Sequence, residues 1–211
     1  TPSSVAISTD NELGGIDPGD EHMYLAKDGD AITLKFSTSE PLSSAKVEIN
    51  GEPIAASKQS SDTDGTQWEA VTQNPFISDA EEVSFQIAEY VDLAGNPSSE
   101  DARTGDDNSN KIRIDLSAPA ITPSSVAIST DNELGGIDPV DPQKYLAKVG
   151  NTITVDFTTD EDLSSAEVVI NGETVIASGS GTSWSATTRD ALTEDVEEVS
   201  FQIAEYVDLA G

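Results

Sequence analysis

The chain has no cysteine, which excludes disulfides and thiolate metal sites. Its only imidazole is His22. Basic side chains number 10 against 40 acidic ones, a net charge of −30. That balance argues against a nucleic-acid backbone or an anionic membrane surface as partner. Aromatic residues make up only 5% of the chain, too few for a carbohydrate-stacking platform. No apolar run approaches the roughly 18 residues of a membrane span, and no signal-peptide pattern is present. The sequence opens at Thr1 rather than Met, which reads as a processed product or an excised segment. The absence of cysteine does not itself assign a compartment.

What is present is duplication. TPSSVAISTDNELGGIDP occupies residues 1–18 and again 122–139, and EEVSFQIAEYVDLAG occupies 81–95 and again 197–211. Tyr24 corresponds to Tyr145 and Gly51 to Gly172, an offset of 121, whereas Trp68 corresponds to Trp184 and Phe85 to Phe201, an offset of 116. The length difference falls in SKQSSDTDGTQW of the first copy, which reads SGSGTSW in the second. Ser, Asp and Gly dominate there, as in a surface loop that tolerates length change. A unit of this size is a whole domain rather than a solenoid repeat. The reading is two domains, 1–118 and 119–211, and a repeated unit uses length or multivalency rather than a single active site.

Hydrophobic periodicity is two nearly throughout. Ile32, Leu34 and Phe36 alternate with polar residues, as do Ile153, Val155 and Phe157. Ala45, Val47 and Ile49 lead into Asn50-Gly51, and Ala166, Val168 and Ile170 into Asn171-Gly172. Asn-Gly is a favoured type I′ hairpin turn because both residues tolerate positive φ. Val83, Phe85 and Ile87 predict a further strand, Ile112 and Ile114 a last one, and Val5 and Ile7 a first one. No helical stripe is evident. The expected fold is all-β, six or seven short strands per domain in a β-sandwich. Trp68 and Trp184 are expected in the cores. Tyr90 and Tyr206 lie out of phase with the inward set, and are expected to pin a strand end through their hydroxyls.

YLAKDGDAITLKFSTSEPL (24–42), the Trp strand, EEVSFQIAEYVDLAGN (81–96) and NKIRIDLSAP (110–119) together resemble the bacterial Ig-like repeats of large surface adhesins and exoproteins. The second copy carries YLAKVGNTITVDFTTDEDL (145–163) and DLAG. The resemblance implies two tandem Ig-like β-sandwich domains from an extracellular or bacterial cell-surface protein, with neighbouring repeats or subunits of the same protein as partners. The acidic insert NELGGIDPGDEHM departs from that pattern.

Two sets of oxygen donors are candidate calcium sites. The first is the acidic loop Asp10, Asn11, Glu12, Asp17 and Asp20, matched by Asp131, Asn132, Glu133, Asp138 and Asp141. Ca²⁺ takes six to eight oxygens, which clustered carboxylates, Asn and main-chain carbonyls supply. The alternative is a solvated acidic loop that records a duplication; the spacing is not that of an EF-hand. The second set is Asp92 in DLAGN, with its counterpart Asp208, the run Asp106-Asp107-Asn108, and Asp115. Its alternative is a DLAGN turn in which Gly95 supplies positive φ. Extracellular modules bind calcium with dissociation constants of roughly 10⁻⁴–10⁻³ M. At about ten times that concentration a site adds about 1.4 kcal/mol, enough to bias a hinge. Catalysis is not expected: His22 has Gln143 as its counterpart, so no nucleophile–His arrangement is shared by the copies.

The second copy stops at DLAG, with no counterpart of the Ile112–Ile114 strand, so the second domain is expected to lack its final strand. Three readings stand: a segment cut from a longer chain, a continuation outside this sequence, or a strand supplied by another subunit. The last would make the protein a filament or sheath subunit, a homopolymer by strand exchange.

Overall fold

The computed structural model describes residues 2–11, 15–72, 76–98, 101–103, 105–132, 136–142, 144–189, 192 and 198–211. The fold is all-β, with no helix among the described residues. The chain separates into two compact units, Thr1–Ser117 with Leu209–Gly211, and Ala118–Asp208.

The first unit contains β1 (Pro2–Thr9), β2 (Met23–Ala26), β3 (Ile32–Thr38), β4 (Leu42–Ile49), β5 (Glu52–Lys58), β6 (Gln67–Val71), β7 (Phe85–Asp92), β8 (Asp101–Arg103) and β9 (Lys111–Ile114). Seven strands run in the order β1-β3-β6-β5-β4-β7-β8, and β2 pairs β9 in parallel. Alternation sets the faces: Ile32, Leu34 and Phe36 of β3 are buried, and Thr33, Lys35 and Ser37 are not. β5 pairs β4 over residues 52–56 and β6 over 57–58. The sheet thereby changes layer along one strand, and Val5, Phe36 and Trp68 share a core with Val47, Phe85, Ile112 and Ile114. Burying each large side chain there contributes about 1.5–3 kcal/mol.

The second unit contains β10 (Ala127–Thr130), β11 (Ile153–Thr158), β12 (Leu163–Ile170), β13 (Glu173–Ile176), β14 (Ser178–Ser180), β15 (Ser183–Thr187) and β16 (Phe201–Asp208). They form the sheets β10-β11-β15-β14 and β13-β12-β16 around a separate core that includes Phe157, Val168 and Trp184. The counterpart of β5 is thus divided into β13 and β14.

Local signals act alike in both units. Asn50 and Gly51 have φ of 50° and 80°, and Asn171 and Gly172 have 48° and 85°, closing equivalent hairpins between β4 and β5 and between β12 and β13. Gly95 has φ 89° in the DLAGN turn. Both tryptophans are buried, and each indole N–H donates to a loop carbonyl, Gly65 at 3.2 Å and Gly181 at 2.9 Å. The segment of variable length is a loop: in the first unit Asp62 Oδ1 accepts the N–H groups of Asp64, Gly65 and Thr66, and in the second a short turn at Gly181 replaces it.

Tyr90 departs from the periodicity. Lys46 pairs with Glu89 but Val47 pairs with Ile87, so Ala88 bulges out of the ladder. The extra residue reverses the phase, and Tyr90 turns inward to join Phe85 and Ile87 in the core. The same register shift recurs between β12 and β16, and Tyr206 packs against the second core. A period-two count cannot see an inserted residue.

Candidate functional site

The acidic loops are built the same way in both copies. Asp10 Oδ1 accepts the Ala31 N–H at 2.5 Å, and Asp131 Oδ1 accepts that of Thr152 at 2.9 Å. The Thr152 N–H holds the Asp131 carboxyl below the usual carboxylate range. Asn11 Nδ2 donates to Leu25 O at 3.0 Å and Asn132 Nδ2 to Leu146 O at 2.7 Å. Asp17 Oδ1 caps the Gly19 N–H at 2.7 Å, and Asp138 Oδ1 caps the Val140 N–H at 2.8 Å. Asp20 accepts from His22 N at 3.0 Å, while Asp141 donates its own N–H to Asp138. Glu12 and Glu133 lie outside the described residues. The two loops are thus tied by carboxylates that serve their own main chains as caps. Among the described residues, no group of three or more acidic or imidazole side chains gathers closely enough to share an ion.

The second set of carboxylates is distributed over separate turns. Asp92 Oδ1 accepts the Asn96 N–H at 2.8 Å and Oδ2 the Asn96 amide at 2.7 Å, and that side chain lowers the Asp92 carboxyl. Asp106 is buried and accepts four N–H groups: Ile7 N at 3.3 Å, Asn108 N at 2.8 Å, Asn110 N at 2.9 Å and Asn110 Nδ2 at 3.2 Å. Its neighbour Asp107 accepts from Val5 N at 2.9 Å and from Arg103 Nη1 at 2.6 Å, and the Val5 N–H lowers its carboxyl first. These two side chains serve the edge of β1 in place of a strand. Asp115 accepts from Ser117 N at 3.1 Å, and Asp208 is buried at the end of β16.

Periodicity marked Ile112 and Ile114 but not the basic residues that alternate with them, Lys111 and Arg113. β9 lies beside β2 in parallel, with Tyr24 opposite Ile112 and Ala26 opposite Ile114. On its other side, Val83 N donates to Ile112 O at 2.7 Å, and Ala80 exchanges bonds with Ile114. Ile112 and Ile114 enter the core, while Lys111 and Arg113 lie on the outward face. Lys111 Nζ meets Glu82 at 2.8 Å; Arg113 meets Asp17 at 2.6 Å and Glu81 at 3.5 Å. The Glu82 carboxylate raises the Lys111 pKa. The visible signal was a Lys-Ile-Arg-Ile alternation in a chain with few basic residues.

No family model, curated protein or solved structure matches the chain.

In the second unit, the described equivalents of the residues around β9 are more exposed. β8 and β9 have no counterpart among its described strands, and residues 144–147 form no strand. Val126 is 37% exposed where Val5 is 1%, and Phe201 is 40% exposed where Phe85 is 2%. Tyr145 and Leu146 are also exposed. The main chain of 144–147 meets 136–138 through the Ile137–Tyr145 bridge, Leu146 N to Gly136 O and Asp138 N to Lys144 O, and it also bonds Asp141 O through Lys144 N and the Asn132 amide through Leu146 O.

Proposed function

We propose that the chain is a non-enzymatic extracellular structural module, a tandem Ig-like segment of a bacterial cell-surface adhesin or exoprotein. The observation that carries this reading is that one sequence unit yields two separately cored all-β units with the same hairpin turn and the same bulge. Repetition of a self-contained unit suits extension and spacing. The resemblance at 24–42, 81–96 and 110–119 supports the surface location.

Calcium is retained as the proposed stabilising ion. Its support is the charge of −30 and the matching donors Asp10, Asn11, Asp17 and Asp20 and Asp131, Asn132, Asp138 and Asp141. The described carboxylates alone do not form a ligand cage, so an ion would draw on carboxylate lone pairs beyond those used in capping. Melting in excess calcium and in chelator, at fixed ionic strength, tests it. A rise in melting temperature with calcium is expected; unchanged melting removes calcium from the proposal. Sedimentation velocity tests the architecture, with an elongated monomer expected and fibres overturning the spacer reading.

A second reading is a filament or sheath subunit joined by strand donation between chains. It is favoured by the exposure of Val126, Tyr145 and Phe201.

A further inference from the structure

We propose that the two Asn-Gly hairpin turns are sites of spontaneous modification. The side-chain amide of Asn50 or Asn171 is lost there as ammonia, and the turn ends as either aspartate or isoaspartate. The reaction is local to each turn and needs no partner chain.

Hydrogen bonding sorts the asparagines of this chain. The side-chain amides of Asn11, Asn96, Asn110 and Asn132 donate to Leu25 O, Asp92, Asp106 and Leu146 O, and Asn151 Oδ1 accepts the Lys148 N–H. Among the described residues, no hydrogen bond holds the side chains of Asn50, Asn108 and Asn171, and all three are exposed. Asn74 lies outside the described residues. Of the three, Asn50 and Asn171 precede glycine, whereas Asn108 precedes serine. The following residue matters because its main-chain nitrogen is the nucleophile. Gly51 and Gly172 carry no side chain to shield that nitrogen, and the space where one would begin is empty to 4 Å. The two turns are also matched settings: the Asn50 and Asn171 main-chain N–H groups donate to Ser84 O and Ser200 O, both at 2.7 Å.

The reaction consumes only water. The Gly51 nitrogen attacks Asn50 Cγ; the N–Cγ bond forms as Cγ–Nδ2 breaks, and the amide leaves as ammonia with the proton from the glycine nitrogen. Water then opens the cyclic imide. Cleavage of its N–Cγ bond leaves aspartate. Cleavage between the nitrogen and the Asn50 main-chain carbonyl carbon leaves isoaspartate, with the main chain rerouted through Cβ and Cγ. Asn171 and Gly172 react in the same way.

The two products affect the hairpin differently. Asp-Gly is itself a favoured type I′ pair, so aspartate keeps the turn. Isoaspartate lengthens the main chain of a two-residue loop that sets Ile49 opposite Glu52 and Ile170 opposite Glu173. Loop length fixes hairpin register, so the pairs next to the turn open. Either product adds a negative charge beside Glu52 or Glu173, in a chain already at −30.

The test incubates the folded whole chain at mildly alkaline pH in heavy-oxygen water and maps its peptides by mass spectrometry. Heavy oxygen is expected at positions 50 and 171, in chromatographically separable aspartate and isoaspartate forms. Conversion there is expected to be about tenfold faster than at Asn108, a barrier difference of about 1.4 kcal/mol. Asn50→Gln is expected to stop conversion at that turn and leave the other unchanged. The isoaspartate form is expected to lose hydrogen-exchange protection over residues 52–54 or 173–175, while the aspartate form and Asn50→Asp keep it. If Asn108 or a hydrogen-bonded asparagine converts as fast, the assignment is overturned. If the two turns convert only in denaturant, folding protects them and the proposal fails. If protection survives in the isoaspartate form, the opening of the hairpin is overturned.

Discussion

Phe85 and Phe201 stand in identical stretches of chain, yet one is sealed inside a core and the other is open to solvent. Val5 and Val126 show the same contrast. Their strands keep the same partners: β7 pairs β4 with the register shifts that β16 shows with β12. What differs lies elsewhere in sequence, in β8, β9 and the turn held by Asp106, none of which has a described counterpart in the second unit. Local sequence therefore sets direction and register, whereas burial depends on segments dozens of residues away.

The largest expected effect sharpens this contrast. Phe85→Ala removes a fully enclosed ring and is expected to cost about 3–5 kcal/mol. Phe201→Ala removes one already part-solvated, for about 1–2 kcal/mol. Denaturant unfolding read separately through Trp68 and Trp184 checks both, each in a variant with the other tryptophan changed to Phe. Equal losses would break the comparison.

A control for local determination is smaller and should be symmetric. Gly51 and Gly172 have φ of 80° and 85°, with open space where a Cβ would sit. Gly51→Ala and Gly172→Ala are each expected to cost about 1 kcal/mol, through backbone conformation alone. A marked difference between the two, in the same unfolding measurement, would mean that the hairpins are not equivalent.

The smallest effect concerns acid. In the first unit the carboxyls of Asp64, Asp92 and Asp107 are lowered, chiefly by the Thr66 hydroxyl, the Asn96 amide and the Val5 N–H; in the second, Asp131 is lowered by the Thr152 N–H. A carboxyl lowered on folding contributes stability that is complete above its unfolded pKa of about 4. That contribution is lost as pH falls through the lower folded value. The first unit is accordingly expected to lose melting temperature more steeply than the second as pH drops below about 4, followed by circular dichroism. An equal or reversed dependence would show that these caps do not set acid stability.

Much of the fold was legible in the sequence. Alternation marked β3, β4 and β7 with their copies, Asn-Gly located both hairpins, and the unequal segment before each Trp was a loop. Tyr90 was misread because the Ala88 bulge inserts one residue and inverts the face of everything after it. The candidate sites were only partly legible. Asp10, Asp17, Asp92 and Asp106 were found as oxygen donors, but a side-chain type does not tell whether it faces an ion or a main-chain N–H. The pairing of Arg113 with Asp17 was invisible because it joins residues far apart in sequence.

By itself the sequence determined the all-β class, the repeated unit, the hairpin positions and the strongly acidic surface, because these follow from neighbouring residues and from summed charge. Only the tertiary structure decided which of two identical phenylalanines is buried and where the carboxylates point. Those outcomes depend on the segment that arrives alongside, and identical sequences that meet different neighbours bury different surfaces.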